Sequence, residues 1–172
     1  MKKAIYILTG VMASGKSTVG EVLALQLGEK SVHLRGDIFR RMIVSGREEM
    51  SPQPTKEALS QLHLRYRLAA ETAKIYYTAG FSVVLQDNYY GDDLLFILEL
   101  LKGFPIHLTI LCPDLKTVKR REAGRKKKGY RSFTPEALYT DFMRRTPKIG
   151  YWLDTSRLSP EEAAEAIIAH YT

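Results

Sequence analysis

The run Gly10-Val11-Met12-Ala13-Ser14-Gly15-Lys16-Ser17 constrains this chain more than any other stretch. It fits the pattern GxxxxGK[ST], which average residue usage produces at roughly 4 × 10⁻⁵ per position, so an accidental match is unexpected in a chain of this length. The context tightens the reading. Ala4 to Leu8 (AIYIL) has the make-up of a short buried strand, and Ser17 to Leu27 shows helical spacing through Val19, Val22, Leu23 and Leu27, with Gly28 as a stop. A glycine-rich turn between strand and helix can curl until successive backbone N–H groups point inward at phosphate oxygens, and the helix adds the positive end of its dipole. Lys16 then reaches the β- and γ-phosphates, and the Ser17 hydroxyl ligates Mg²⁺. Gly10, Val11, Met12, Ala13, Ser14, Gly15, Lys16, Ser17 and Thr18 are thus expected to hold a nucleotide, which by itself names no reaction.

Further along, short apolar runs and helical patterns alternate. Strands are expected at Ser31 to Leu34, Ser82 to Leu85, Ile106 to Leu111 and Tyr151 to Leu153. Helices are expected at Ile38 to Val44, Glu57 to Ala79, from an Asp92 cap to Lys102, and after Asp114, Thr134-Pro135 and Ser159-Pro160, where Glu162 completes a capping box. In the longest helix Leu62, Tyr66, Ala69, Ala73 and Tyr76 form the stripe expected to face inward. Such alternation predicts an α/β fold, a parallel sheet with helices on both faces, in one domain covering 1–172. Leu94 to Leu101 suits inward packing or a contact between subunits, which leaves the oligomeric state open.

Ligands of open α/β sheets collect beyond the strand ends, and Asp37 and Asp87 follow the second and third strands. A hydroxyl attacking a γ-phosphate needs a carboxylate to orient it and take its proton, and Asp37 is the candidate, with Arg40 and Arg41 a turn later to hold an acceptor. A helix N-cap would also account for Asp37. Asp87 is a candidate for Mg²⁺ or for the acceptor; an Asx-turn before Asn88 is its structural alternative. Tyr89 and Tyr90 suit either stacking on an acceptor or packing, and Trp152 is expected in the core. His33, His107 and Cys112 are isolated, with no metal-ligand spacing.

Lys116 to Arg131 holds nine basic residues and one acid, Glu122. Arg121 and Arg125 lie four apart on one helix face, placed to meet a nucleotide, and Gly124 and Gly129 would let a basic lid at about 121–133 hinge. A formal charge of +7 leaves a nucleic-acid contact open as well. With 45% hydrophobic and 26% charged residues the chain is neither a disordered tail nor a fibre. No apolar run approaches the ~20 residues of a membrane span, and a single cysteine fits a reducing cytoplasm.

Taken in order, the glycine loop, RGDIFRRM, VVLQDNYYG, the Arg-x-x-x-Arg lid and LDTS resemble the small P-loop kinases, in particular the branch holding chloramphenicol phosphotransferases and the kinase domain of phage polynucleotide kinase. The resemblance implies a P-loop NTPase fold with a five-stranded parallel sheet in the order 2-3-1-4-5. It also implies Asp37 as general base, Arg40 and Asp87 at the acceptor, Arg121 stacked on adenine and Arg125 at the transferring phosphoryl group. The segment Ser45 to Thr55, which shapes the acceptor pocket in such kinases, has no recognisable counterpart. The expected activity is therefore ATP- and Mg²⁺-dependent transfer to a hydroxyl of a small molecule such as an antibiotic, sugar or nucleoside. A polynucleotide 5′-hydroxyl is the alternative acceptor, and a binding module that transfers nothing is the alternative of another class.

Overall fold

The computed structural model describes residues 3–124 and 133–172, so Arg125 and most of the expected lid lie outside the described residues. The elements run β1 (Ile5–Gly10), α1 (Lys16–Gln26), β2 (Ser31–Arg35), α2 (Asp37–Met42), α3 (Lys56–Thr78), β3 (Ser82–Gln86), α4 (Asp92–Leu100), β4 (Ile106–Leu111), α5 (Leu115–Ala123), α6 (Pro135–Arg145), β5 (Tyr151–Leu153) and α7 (Pro160–Tyr171). All strand pairings are parallel, in the order β2-β3-β1-β4-β5. This is the α/β arrangement the family resemblance implies.

Side-chain alternation on the central strands builds two cores. Ile5 and Ile7 of β1 join Val83 and Leu85 of β3 on one face, beneath Tyr66, Ala69 and Ala73 of α3, Leu94 and Ile97 of α4, and Phe142 of α6. Tyr6 and Leu8 turn to the other face, beneath Val19 and Leu23 of α1 and Ala163, Ala164 and Ile167 of α7. A strand covered on both sides reads as an unbroken apolar run, which is why AIYIL was legible. Burying each leucine or isoleucine contributes about 1.5–3 kcal/mol.

Caps fix several helix starts. The side chains of Thr55, Asp114 and Thr134 accept from the backbone N–H three residues on, and Ser159 with Glu162 forms the expected capping box. Elsewhere glycine takes the cap position: Gly36 precedes α2 and Gly91 precedes α4, so Asp37 and Asp92 are first helical residues rather than caps. α2 is also shorter than the expected Ile38 to Val44 helix, ending at Met42. In α4, Leu94, Ile97 and the following Leu101 are fully buried, so that stripe packs inward. Tyr76 of the expected α3 stripe is exposed, because at that turn Tyr77 takes the inward position and packs against the core. Trp152 is only half-buried at the edge of the core; its indole N–H donates to Ile149 O at 3.1 Å and Lys148 Nζ sits 3.7 Å over its ring.

Candidate functional site

Between β1 and α1 the chain makes a concave backbone turn. Ala13 at φ 65° and Gly15 at φ 100° adopt left-handed conformations inside it, and strain of that kind at a non-glycine residue is held by the surrounding loop. Gly10 is required twice: its φ is 149°, and a side chain there would collide with the Leu111 carbonyl of neighbouring β4. Lys16 reaches back into the turn, its ammonium donating to Gly10 O and Val11 O at 2.7 Å each. Ser17 and Thr18 stand exposed at the N-terminus of α1. Arg121, from the end of α5, donates to Ser14 O and to Thr155 O at 2.9 Å each, closing the side of the loop next to the β5–α7 turn. The structure therefore gathers the expected residues Gly10 to Thr18 with Arg121.

The ends of β2 and β3 lie beside this cradle. Parallel pairing sets Leu8 opposite Gln86 and Arg35 opposite Gln86, and Gly36 N donates to Gln86 O at 3.0 Å. Gln86 Nε2 lies 3.4 Å from Ser17 Oγ, so the third strand touches the first turn of α1. The connection from β1 runs to one side of the sheet and that from β3 to the other, which is where open α/β sheets bind their ligands.

Asp37 opens α2 at this edge with a side chain 32% exposed. Its Oδ1 accepts from Arg40 Nε at 2.9 Å and its Oδ2 from Arg41 Nε at 2.8 Å. Partial burial on its own would raise the carboxyl's pKa; the two guanidinium groups outweigh that and hold it below the ordinary aspartate value. Asp37 is therefore an ionised acceptor at neutral pH. Arg40 also bonds Glu49 at 2.5 Å, which ties the 43–55 connection to α2.

Arg65 is the residue sequence reading missed. It lies on α3 at 9% exposure, with Nε donating to Asp87 Oδ2 at 2.6 Å, Nη2 donating to Asp87 Oδ1, and Nη1 3.9 Å from Asp37 Oδ1. Burial disfavours its charge, but the Asp87 carboxylate more than offsets this and its pKa is raised. Asp87 Oδ1 also accepts from the adjacent Asn88 N at 2.7 Å, whereas the N–H two residues on, at Tyr89, donates to Thr9 Oγ1, so the contact differs from the expected Asx-turn. Both Asp87 oxygens are thus engaged by protein donors. Gly36 makes room for them, since a Cβ there would overlap Asp87 Oδ2. The available signal was Arg65 beside the apolar stripe position Tyr66, but a long cation one place from a buried stripe ordinarily reaches for solvent.

Tyr89 is fully buried against the Tyr66 ring, centroids 5.0 Å apart, and its backbone N–H donates to Thr9 Oγ1 at 2.9 Å; it packs rather than lining an open pocket. Burial raises the pKa of both phenols. His63, with its side chain 43% exposed, pairs with Asp93 at 3.1 Å. Among the described residues no group of three or more His, Cys, Asp or Glu could hold a metal ion, and no helix is long and apolar enough to cross a membrane. A divalent ion on a nucleotide needs few protein ligands, because phosphates and water fill most of its coordination sphere. The exposed Ser17 hydroxyl fits that role, and the buried Gln86 Oε1 beside it has no donor among the described residues.

Sheet order, cradle and carboxylate together define a small P-loop kinase, a class that transfers phosphoryl groups from ATP. The chain belongs to the AAA domain family (AAA_33), which it matches over residues 5–148. It is similar to a protein of Halalkalibacterium halodurans named probable adenylyl-sulfate kinase, 28% identical over 99% of this chain and 83% of that one. Among solved structures it is similar to the Mycobacterium tuberculosis APS kinase in complex with AMPPNP and APS, at TM-score 0.72 and 19% identity over 98% of this chain and 96% of the other. The Deinococcus radiodurans tunicamycin resistance protein is similar at TM-score 0.72 and 16% identity, over 99% and 96% of the two chains.

Proposed function

We propose that this protein moves the γ-phosphoryl group of ATP, bound with Mg²⁺, to a hydroxyl of a small molecule, and that Asp37 takes the hydroxyl's proton. The observation that carries this reading is the closeness of the cradle to Asp37, linked through Ser17, Gln86 and Gly36 at a single sheet edge. The similar proteins named for adenylyl-sulfate kinase activity, one of them holding AMPPNP and APS, support ATP as donor and a small acceptor.

Each residue has a task set by its chemistry. Backbone N–H groups of Gly10 to Ser17 and the α1 N-terminus neutralise the phosphate oxygens. Lys16, which bonds the Gly10 and Val11 carbonyls here, would meet the β- and γ-phosphates, and Ser17 would hold Mg²⁺, which would supply positive charge to the triphosphate. Asp37 accepts a hydrogen bond from the acceptor hydroxyl. As the new O–P bond forms and the bond to ADP breaks, the hydroxyl proton passes to Asp37. Its lowered pKa suits a loose transition state, in which the proton moves late and a strong base is not required. Arg40 and Arg41 fix the carboxylate, and the Arg65–Asp87 pair forms the wall behind it.

The test is Asp37→Asn, which keeps shape and removes the base. ATP binding measured by calorimetry should stay within about 3-fold while acceptor-dependent ADP release falls by at least ~10². Undiminished ADP release in this variant would remove Asp37 as base.

A further inference from the structure

The geometry points to Gln86, not Asp87, as the positioning residue for the Mg²⁺ that accompanies the nucleotide; this rests on the function proposed above. Gln86 ends β3 at 5% exposure, with its amide against Ser17 Oγ and its Oε1 shielded from solvent without a donor among the described residues. A buried amide oxygen with no partner is costly, and such an atom persists where something else satisfies it. A serine that lends a lone pair to Mg²⁺ has a more acidic hydroxyl hydrogen in need of an acceptor, as do the waters on the cation. Within reach of Ser17, the Gln86 amide oxygen meets that need, directly to the hydroxyl once the amide turns over or through a metal-bound water as it stands.

Asp87 is poorly placed for this work. Arg65 takes both of its oxygens, Asn88 N takes a further share, and freeing the carboxylate would leave a guanidinium buried and unpaired. The metal is therefore oriented by a neutral amide, and binding of Mg²⁺ with ATP should respond to the chemistry at position 86.

Calorimetry with a non-hydrolysable ATP analogue, with and without Mg²⁺, separates the metal's share from the rest. In the unaltered protein Mg²⁺ should tighten binding. Gln86→Leu should lose roughly 10-fold of that tightening, the scale seen when an outer-sphere partner is removed, with metal-free affinity unchanged. Gln86→Glu restores an acceptor oxygen and should bind Mn²⁺ at the nucleotide more tightly than the unaltered protein, read by electron paramagnetic resonance. Full tightening in Gln86→Leu, an equal loss with and without Mg²⁺, or unaltered Mn²⁺ affinity in Gln86→Glu would each overturn the assignment, and the last holds even if the leucine variant fails to fold. Failure of the unaltered protein to bind the analogue would instead sink the proposed function.

Discussion

The glycine-rich loop proposed to cradle phosphate and the side-chain network around Asp37 proposed to face the acceptor meet at one end of the sheet, yet they are built by opposite means. The loop is a continuous run of chain shaped by the backbone conformations of Gly10, Ala13 and Gly15, and its proposed binding groups are mostly backbone amides. The wall is assembled from side chains far apart in sequence: Asp37 from α2, Arg65 from α3 and Asp87 after β3, joined by ion pairs. A backbone site is expected to tolerate replacement of its side chains except where a glycine, Lys16 or Ser17 is needed. A side-chain network couples its members, so removal of one exposes the others.

The largest expected effect tests that coupling. Arg65→Leu should lower stability by about 3–5 kcal/mol by stranding the Asp87 carboxylate in a buried site, whereas Arg65→Leu combined with Asp87→Leu should recover most of the loss. Denaturant unfolding of the three proteins reads this out, and a loss under ~1 kcal/mol for the single variant would mean the wall is not coupled. Lys16→Met strikes the cradle instead: kcat should fall about 10²–10³-fold with weaker ATP binding, while unfolding in the absence of nucleotide moves little. Equal kcat in this variant would show that the cradle does not stabilise the transferring group.

Gly36→Ala lies between the two regions. Its added methyl would push on a carboxylate clamped by Arg65, at a cost of about 1–3 kcal/mol by the same unfolding measurement, and no cost would mean the pair yields freely. The smallest effect is electrostatic. Carbon-13 NMR should find Asp37 titrating below the ordinary aspartate value of about 3.9, and Arg41→Gln should move it upward. Because the folded-state value is depressed, the stability Asp37 contributes is present above the unfolded value and is lost as pH falls through the lowered one. A midpoint at or above 3.9 would contradict the geometry.

The same contrast explains what could be read from the sequence. Gly10 to Ser17 was legible because local chain shape dictates residue type at fixed spacing. The central strands were legible because a sheet buried on both faces needs unbroken apolar runs, as in Ile5 to Leu8 and Val83 to Leu85. Asp37 and Asp87 could be singled out from their places after strands. Their partner could not, since Arg65 sits 22 residues from Asp87 and its burial depends on how α3 lies across the sheet. Gln86 carried no signal for a similar reason: the role proposed for it depends on register with β1 and on contact with Ser17, 69 residues away. Helix starts at Thr55, Asp114, Thr134 and Ser159 follow local hydrogen bonding, whereas Gly36 and Gly91 serve as caps because of close approach and turn shape that the flanking aspartates concealed.

Phosphorus-31 NMR on the protein with ATP, Mg²⁺ and a panel of hydroxyl compounds, covering sugars, nucleosides, aminoglycosides, chloramphenicol-like drugs, adenylyl sulfate and short oligonucleotides, tests the central claim most directly. The account predicts that a small hydroxyl compound gives a new phosphomonoester resonance in step with ADP, and that the resonance is lost in Asp37→Asn. Transfer only to an oligonucleotide 5′-hydroxyl, or tight ATP binding with no new phosphoester across the whole panel, would contradict it.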